Sequence, residues 1–105
     1  MEIKNLSQLK KALKDGHTFK IVEHFNHPEC AGQVRCVQVL QTNGMYTGIV
    51  GEPTSRISLL NGGKGSWCAF GKASDWVFEN GLCKQSHNHG TPIWTIRVLD
   101  DKIDI

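Results

Sequence analysis

From about residue 18 onward this chain alternates short β-rich runs with glycine-centred turns, and a single helical pattern precedes them. That order allows few architectures. Leu6, Leu9, Ala12 and Leu13 recur at helical spacing with lysines on the opposite side, which predicts a helix over about residues 5–14. Asn5 followed three residues later by Gln8 suits a capping box, and Asp15-Gly16 supplies a stop. At about ten residues such a helix is marginal alone and must dock on something.

The β-rich remainder, residues 18–99, reads as Thr18–Phe25, Val34–Gln41, Met45–Val50, Arg56–Leu60, Trp67–Phe70, Asp75–Glu79, Leu82–Gln85 and Ile93–Leu99. Asn43-Gly44 and Asn80-Gly81 are hairpin signals. Period-two alternation puts Phe19, Ile21 and Phe25 on one face of the first strand, and Trp76 and Phe78 opposite Val77 later on. The expected fold is α+β: one N-terminal helix packed on a bent antiparallel sheet, or a small open barrel, of six to eight short strands. With 105 residues, 39% hydrophobic and 21% charged, this is one domain spanning 1–105.

No run of about 18 apolar residues is present, so no membrane span is expected. The N-terminus lacks a charged-then-apolar leader pattern, which points to the cytoplasm. There, thiols stay reduced, and the four cysteines are expected to be free or metal-bound.

Four of the five histidines and two of the four cysteines fall in two short runs, His24-Phe25-Asn26-His27-Pro28-Glu29-Cys30 and Cys83-Lys84-Gln85-Ser86-His87-Asn88-His89. Two separated half-sites of borderline and soft ligands suit a tetrahedral zinc closed across two loops. His27, Cys30, Cys83, His87 and His89 form the candidate ligand set. His24, inside a strand, is its weakest neighbour. Pro28 stiffens the first loop, and Gly90 lets the chain turn away from the second. The competing reading makes Cys83 a buried hydrophobe like Cys36 and Cys68, and the histidines solvated surface groups. No CxxC and no His-Glu-x-x-His occurs, so a bound zinc is expected to be structural.

Other chemistry is faint. The order of Asn61-Gly-Gly-Lys-Gly-Ser66 is not that of a P-loop, and its plain reading is a hairpin tip. No family signature surrounds any cysteine, so no enzyme is expected and no catalytic residue is assigned. The net charge of +2 excludes a DNA mimic, whose face must be strongly acidic. Positive charge gathers near the N-terminus at Lys4, Lys10, Lys11, Lys14 and Lys20. Lys64 and Lys72 flank Trp67, an aromatic-lysine interleaving that single-stranded nucleic-acid platforms also use. Lys10, Lys11, Lys14, Lys64, Trp67 and Lys72 are therefore the candidate partner-binding residues.

The stretches Cys30-Ala-Gly-Gln-Val-Arg35, Gln41-Thr-Asn-Gly-Met-Tyr-Thr47, Gly62-Gly-Lys-Gly-Ser-Trp67 and Gly71-Lys-Ala-Ser-Asp-Trp76 resemble small proteins of bacteriophages and mobile elements of gut Firmicutes, over residues 3–99. The size and the Cys/His loops are also similar to those of zinc-containing anti-CRISPR proteins of the type II class. That resemblance implies an inhibitor that binds the effector Cas9 and blocks its action on DNA. Its histidines and cysteines would hold the fold around a structural zinc. The alternative expectation is a small nucleic-acid-binding phage accessory protein, with direct nucleic-acid binding the less favoured of the two. Salt dependence separates them.

Overall fold

A computed structural model describes residues 1–39, 45–49, 57–58, 72–87 and 90–102. The helix α1 spans Leu6–Lys14. Asn5 caps it: its Oδ1 accepts the Gln8 N–H at 2.9 Å, while Gln8 Oε1 reaches back to the Lys4 N–H at 2.8 Å. The reciprocal half of the capping box is thus completed one residue before the cap. Gly16, at φ 98°, lets the chain leave the helix in the left-handed region.

Seven strands follow among the described residues: β1 His17–His24, β2 Val34–Val39, β3 Met45–Ile49, β4 Ile57–Ser58, β5 Trp76–Glu79, β6 Leu82–Ser86 and β7 Pro92–Lys102. They form one open antiparallel sheet in the order β4-β3-β2-β1-β7-β6-β5. Two meanders are joined through their first and last strands: β1–β4 runs to one side, β5–β7 to the other, and β7 closes against β1. His17 Nδ1 donates to the Leu99 carbonyl at 2.9 Å and Thr18 Oγ1 to that of Asp101 at 3.2 Å, fastening the start of β1 to the end of β7. The α+β expectation therefore holds, with the sheet open rather than closed into a barrel.

Residues directly paired across strands share a face. One face carries Phe19 with Val98, then Ile21, Ile96, Cys83 and Phe78 in a row, then His24, Trp94, Gln85 and Trp76 in the next. Leu6, Leu9, Ala12 and Leu13 of α1 join these residues in one core. Burying four apolar helix residues against a sheet supplies the stabilisation that a helix this short lacks by itself. Trp76 and Phe78 lie on this face with rings stacked at 5.8 Å, and Val77 projects to the other, as the alternation predicts.

The alternation of β1 breaks where the sequence does not mark it. Ile21 pairs with Ile96 but Glu23 pairs with Thr95, so two steps on β1 match one on β7. This bulge reverses the facing of the residues beyond it. Phe25, expected beside Phe19 and Ile21, is 45% exposed, and His24 takes the core position at 1%.

The ends of the elements differ modestly from expectation. β7 begins at Pro92 and runs on to Lys102, past the expected end at Leu99. Short 3₁₀ turns over Pro28–Cys30 and Ala73–Asp75 have no counterpart in the sequence pattern. The expected strand Trp67–Phe70, the Asn43-Gly44 turn, the glycine-rich tip at 61–66, Cys68 and most of Arg56–Leu60 lie outside the described residues. Among the described residues no helix is long and apolar enough to cross a membrane.

The histidine and cysteine loops and the lysine faces

The sheet brings the two histidine-bearing loops to one end. β1 terminates beside the start of β7, where the Phe25 N–H donates to the Ile93 carbonyl at 2.9 Å, and β6 ends next to them at Ser86, opposite Pro92. The β1–β2 connection and the β6–β7 connection are therefore neighbours in the fold, as a two-loop site requires.

The first loop is tied together by its own side chains. His24 Nδ1 accepts backbone N–H groups from His27 at 3.1 Å and Asn26 at 3.3 Å, which places the ring proton on Nε2. Its ring stands edge-on to Trp94 at 5.8 Å and to His27 at 5.2 Å. Burial, then the nearby His27 and Arg35, hold its pKa down to about 4, against a smaller opposing pull from Glu29. His24 is accordingly neutral at pH 7. Further along, Pro28–Cys30 forms its 3₁₀ turn, with the Cys30 N–H donating to the His27 carbonyl at 2.9 Å. Gly32, at φ 89°, returns the chain to β1 by donating to the Ile21 carbonyl at 2.7 Å. Arg35, 3% exposed, donates through Nη2 to Gln33 Oε1 at 2.8 Å and to Cys30 Sγ at 3.4 Å.

The second loop is a tight turn: the His87 N–H donates to Thr91 O and the Gly90 N–H to His87 O, both at 2.8 Å. Gly90, at φ 79°, makes the turn expected of it. His87 is exposed, and His89 lies outside the described residues.

Cys83 belongs to neither loop. It is 0% exposed, centred between Ile96 and Phe78 on the core face. Burial pushes its thiol up to about 11, with Arg97 pulling weakly the other way. A zinc would have to displace the thiol proton and reach a side chain packed in the core. Of the five candidate ligands, then, His27 and Cys30 share one loop, His87 reaches the same end of the sheet, and Cys83 packs as a hydrocarbon-like core residue. Among the described residues no three His, Cys, Asp or Glu side chains converge on a common point suited to a metal.

The lysines divide. Lys11 and Lys14 are exposed on the solvent side of α1 and Lys10 is half-buried there. Residues 6–14 contain no acidic residue, and Lys11 and Lys14 complete the last turn, where cations suit the helix dipole. Lys72 is exposed ahead of β5, and its backbone N–H donates to Asp75 Oδ2 at 3.0 Å. Because α1 packs on β1 and β2 while β5 lies three strands from β1, Lys72 belongs to a different surface from the helix lysines. Lys64 and Trp67 lie outside the described residues.

Sequence reasoning passed over Arg35 and the Trp94–Gln85 pair, in which indole Nε1 donates to Gln85 Oε1 at 2.8 Å inside the core. A signal for the second existed: Gln85 alternates in phase with Cys83, so a core facing for one implies it for the other. Compared with known protein families, curated proteins and solved structures, the chain matches none.

Proposed function

We propose that this chain is a non-enzymatic binding protein of phage type that docks on a bacterial nucleic-acid-targeting effector, Cas9, in the host cytoplasm and blocks its action on DNA. The observation that carries the reading is the solvent side of α1, where Lys11 and Lys14 stand exposed with Lys10 beside them on a helix without acidic residues. A rigid helix docked by Leu6, Leu9, Ala12 and Leu13 presents that charge in fixed geometry. Its complement is an acidic protein lobe, and charge of this kind raises association rate and fixes orientation. The resemblance of its size and Cys/His loops to zinc-containing type II anti-CRISPR proteins supplies the partner class. The accessory-protein alternative draws on Lys64, Trp67 and Lys72, of which only Lys72 is described, on another surface.

A structural zinc is part of the proposal, supported by the shared end of the two loops. Its donors are His27, Cys30, His87 and His89, with Cys83 left in the core. Elemental analysis of purified, tag-free protein tests this part, with close to one zinc per chain expected. Zinc absent from protein prepared without chelators rejects it.

The docking reading is tested by capture of Cas9 on the immobilised protein and by a DNA-cleavage assay. Neutralising the helix with Lys11→Gln and Lys14→Gln is expected to weaken capture about tenfold and to slow association most. Unaltered capture by that variant, or none by the parent protein, overturns it.

A further inference from the structure

Where α1, the segment before it and the start of β1 meet, the chain leaves a cavity of about 280 Å³. Ile3 and Ala12 belong to its apolar lining, and Glu2, Lys11, Asp15 and His17 to its polar lining. The wall that precedes the helix is tied down twice. The Met1 amine pairs with Asp100 at 3.2 Å, and Ile3 joins the core that α1 builds.

His17 is the buried polar member, 8% exposed. Its Nδ1 is committed to the Leu99 carbonyl, so in the neutral ring Nε2 carries the lone pair and is the atom left to accept from a ligand. Asp15, two residues earlier, is the C-cap of α1. A carboxylate there stands at the negative end of the helix, where a cation is favoured. The corner formed by Asp15 and His17 is therefore rich in acceptors and suited to a positive group.

Lys11 supplies the opposite sign. It lies one helical turn before Asp15, at the i,i+4 spacing at which side-chain ion pairs form. Among the described residues, however, no ion pair engages Lys11, Asp15 or Glu2. Charges of both signs that line one cavity without pairing to each other suit a ligand that itself carries both. The volume falls just under the range of about 300–1,000 Å³ typical of drug-sized ligands, which favours one small molecule over a nucleotide or a peptide.

We propose that this cavity binds a free α-amino acid with a short aliphatic side chain. The ammonium group meets Asp15 and His17 Nε2, with Glu2 adding to the attraction. The carboxylate meets Lys11, and the side chain lies against Ile3 and Ala12. The site needs neither the zinc nor the Cas9 reading, although Lys11 serves in both proposals.

The test is isothermal titration of the full chain with leucine, with leucinamide, which lacks the carboxylate, and with 4-methylpentanoate, which lacks the ammonium group. Leucine is expected to bind with a Kd on the order of 1 mM, and each analogue about tenfold more weakly. Asp15→Asn should weaken leucine and leucinamide alike by about tenfold. Lys11→Gln should weaken leucine by about tenfold and leave leucinamide unchanged. Both substitutions are at exposed positions, and each variant should keep the circular dichroism spectrum of the parent protein. No heat from leucine at about 10 mM overturns the proposal. So does equal affinity for either analogue, which would make the cavity a site for one charge alone. Leucine binding that both variants retain in full places the ligand elsewhere and overturns it as well.

Discussion

The two loops use the same residue types in opposite ways. In the β1–β2 connection a histidine is buried and its ring nitrogen terminates two backbone N–H groups, while a cysteine sulfur accepts from a buried guanidinium. In the β6–β7 connection the described histidine is exposed, and among the described residues the turn is closed by main-chain hydrogen bonds. The difference arises one strand away. The bulge in β1 turns His24 inward onto Trp94, where an unmet backbone donor is costly, and the ring meets two of them. His87 lies one residue past the end of β6, beyond a register shift between Gln85 and Ser86, and is exposed. Burial, rather than residue type, decides which histidine is structural.

The sharpest way to break this contrast is His24→Ala. It leaves the Asn26 and His27 N–H groups without their acceptor and opens space against Trp94, at an expected cost of about 3 kcal/mol. Chemical denaturation measures it. A loss below about 0.5 kcal/mol, the size of a surface substitution, would remove His24 from its structural role.

Acid should act through the same residue. His24 has its pKa lowered in the fold from 6.5 to about 4, so between those values the unfolded chain binds a proton that the folded chain refuses. This contribution to stability is complete above about pH 6.5, falls as pH drops below it, and levels off below about pH 4. Between pH 7 and pH 5 the loss is about 2 kcal/mol. Denaturation midpoints across that range should show the decline in the parent protein and a flatter profile in His24→Gln. Parallel profiles assign the slope to other groups.

Cys83 sharpens the contrast from the core side. Cys83→Ser places a hydroxyl between Ile96 and Phe78 and should cost about 2 kcal/mol, by the same amount with or without a zinc chelator. A cost that disappears in chelator would return Cys83 to the metal set.

Much of this fold was legible because its signals are local. The spacing of Leu6, Leu9, Ala12 and Leu13 defined the helix, and Asn80-Gly81, with both residues at positive φ, fixed the β5–β6 hairpin. The pairing of β7 with β1 was not legible, since the registers of Phe19 with Val98 and Ile21 with Ile96 join residues at opposite ends of the chain. Nor was the bulge, which leaves no mark in composition and yet exchanges the places of His24 and Phe25. The candidate site suffered from the same gap: spacing brought Cys83 close to His87 in the chain, while alternation along β6 carried its side chain into the core.

His87→Ala gives the smallest effect and the cleanest discrimination. The turn around His87 is held by its main-chain N–H and C=O, with Thr91 and Gly90 as partners, and alanine keeps both groups. An exposed ring with no part in that closure contributes little to the free chain, so a change within about 0.5 kcal/mol is expected in metal-free protein. With zinc bound, the same substitution removes a proposed donor and should lower the melting temperature of the loaded protein alone. Equal melting temperatures for parent and variant with zinc present would leave His87 as a solvated surface residue and place the asymmetry of the two loops entirely in the burial of the first.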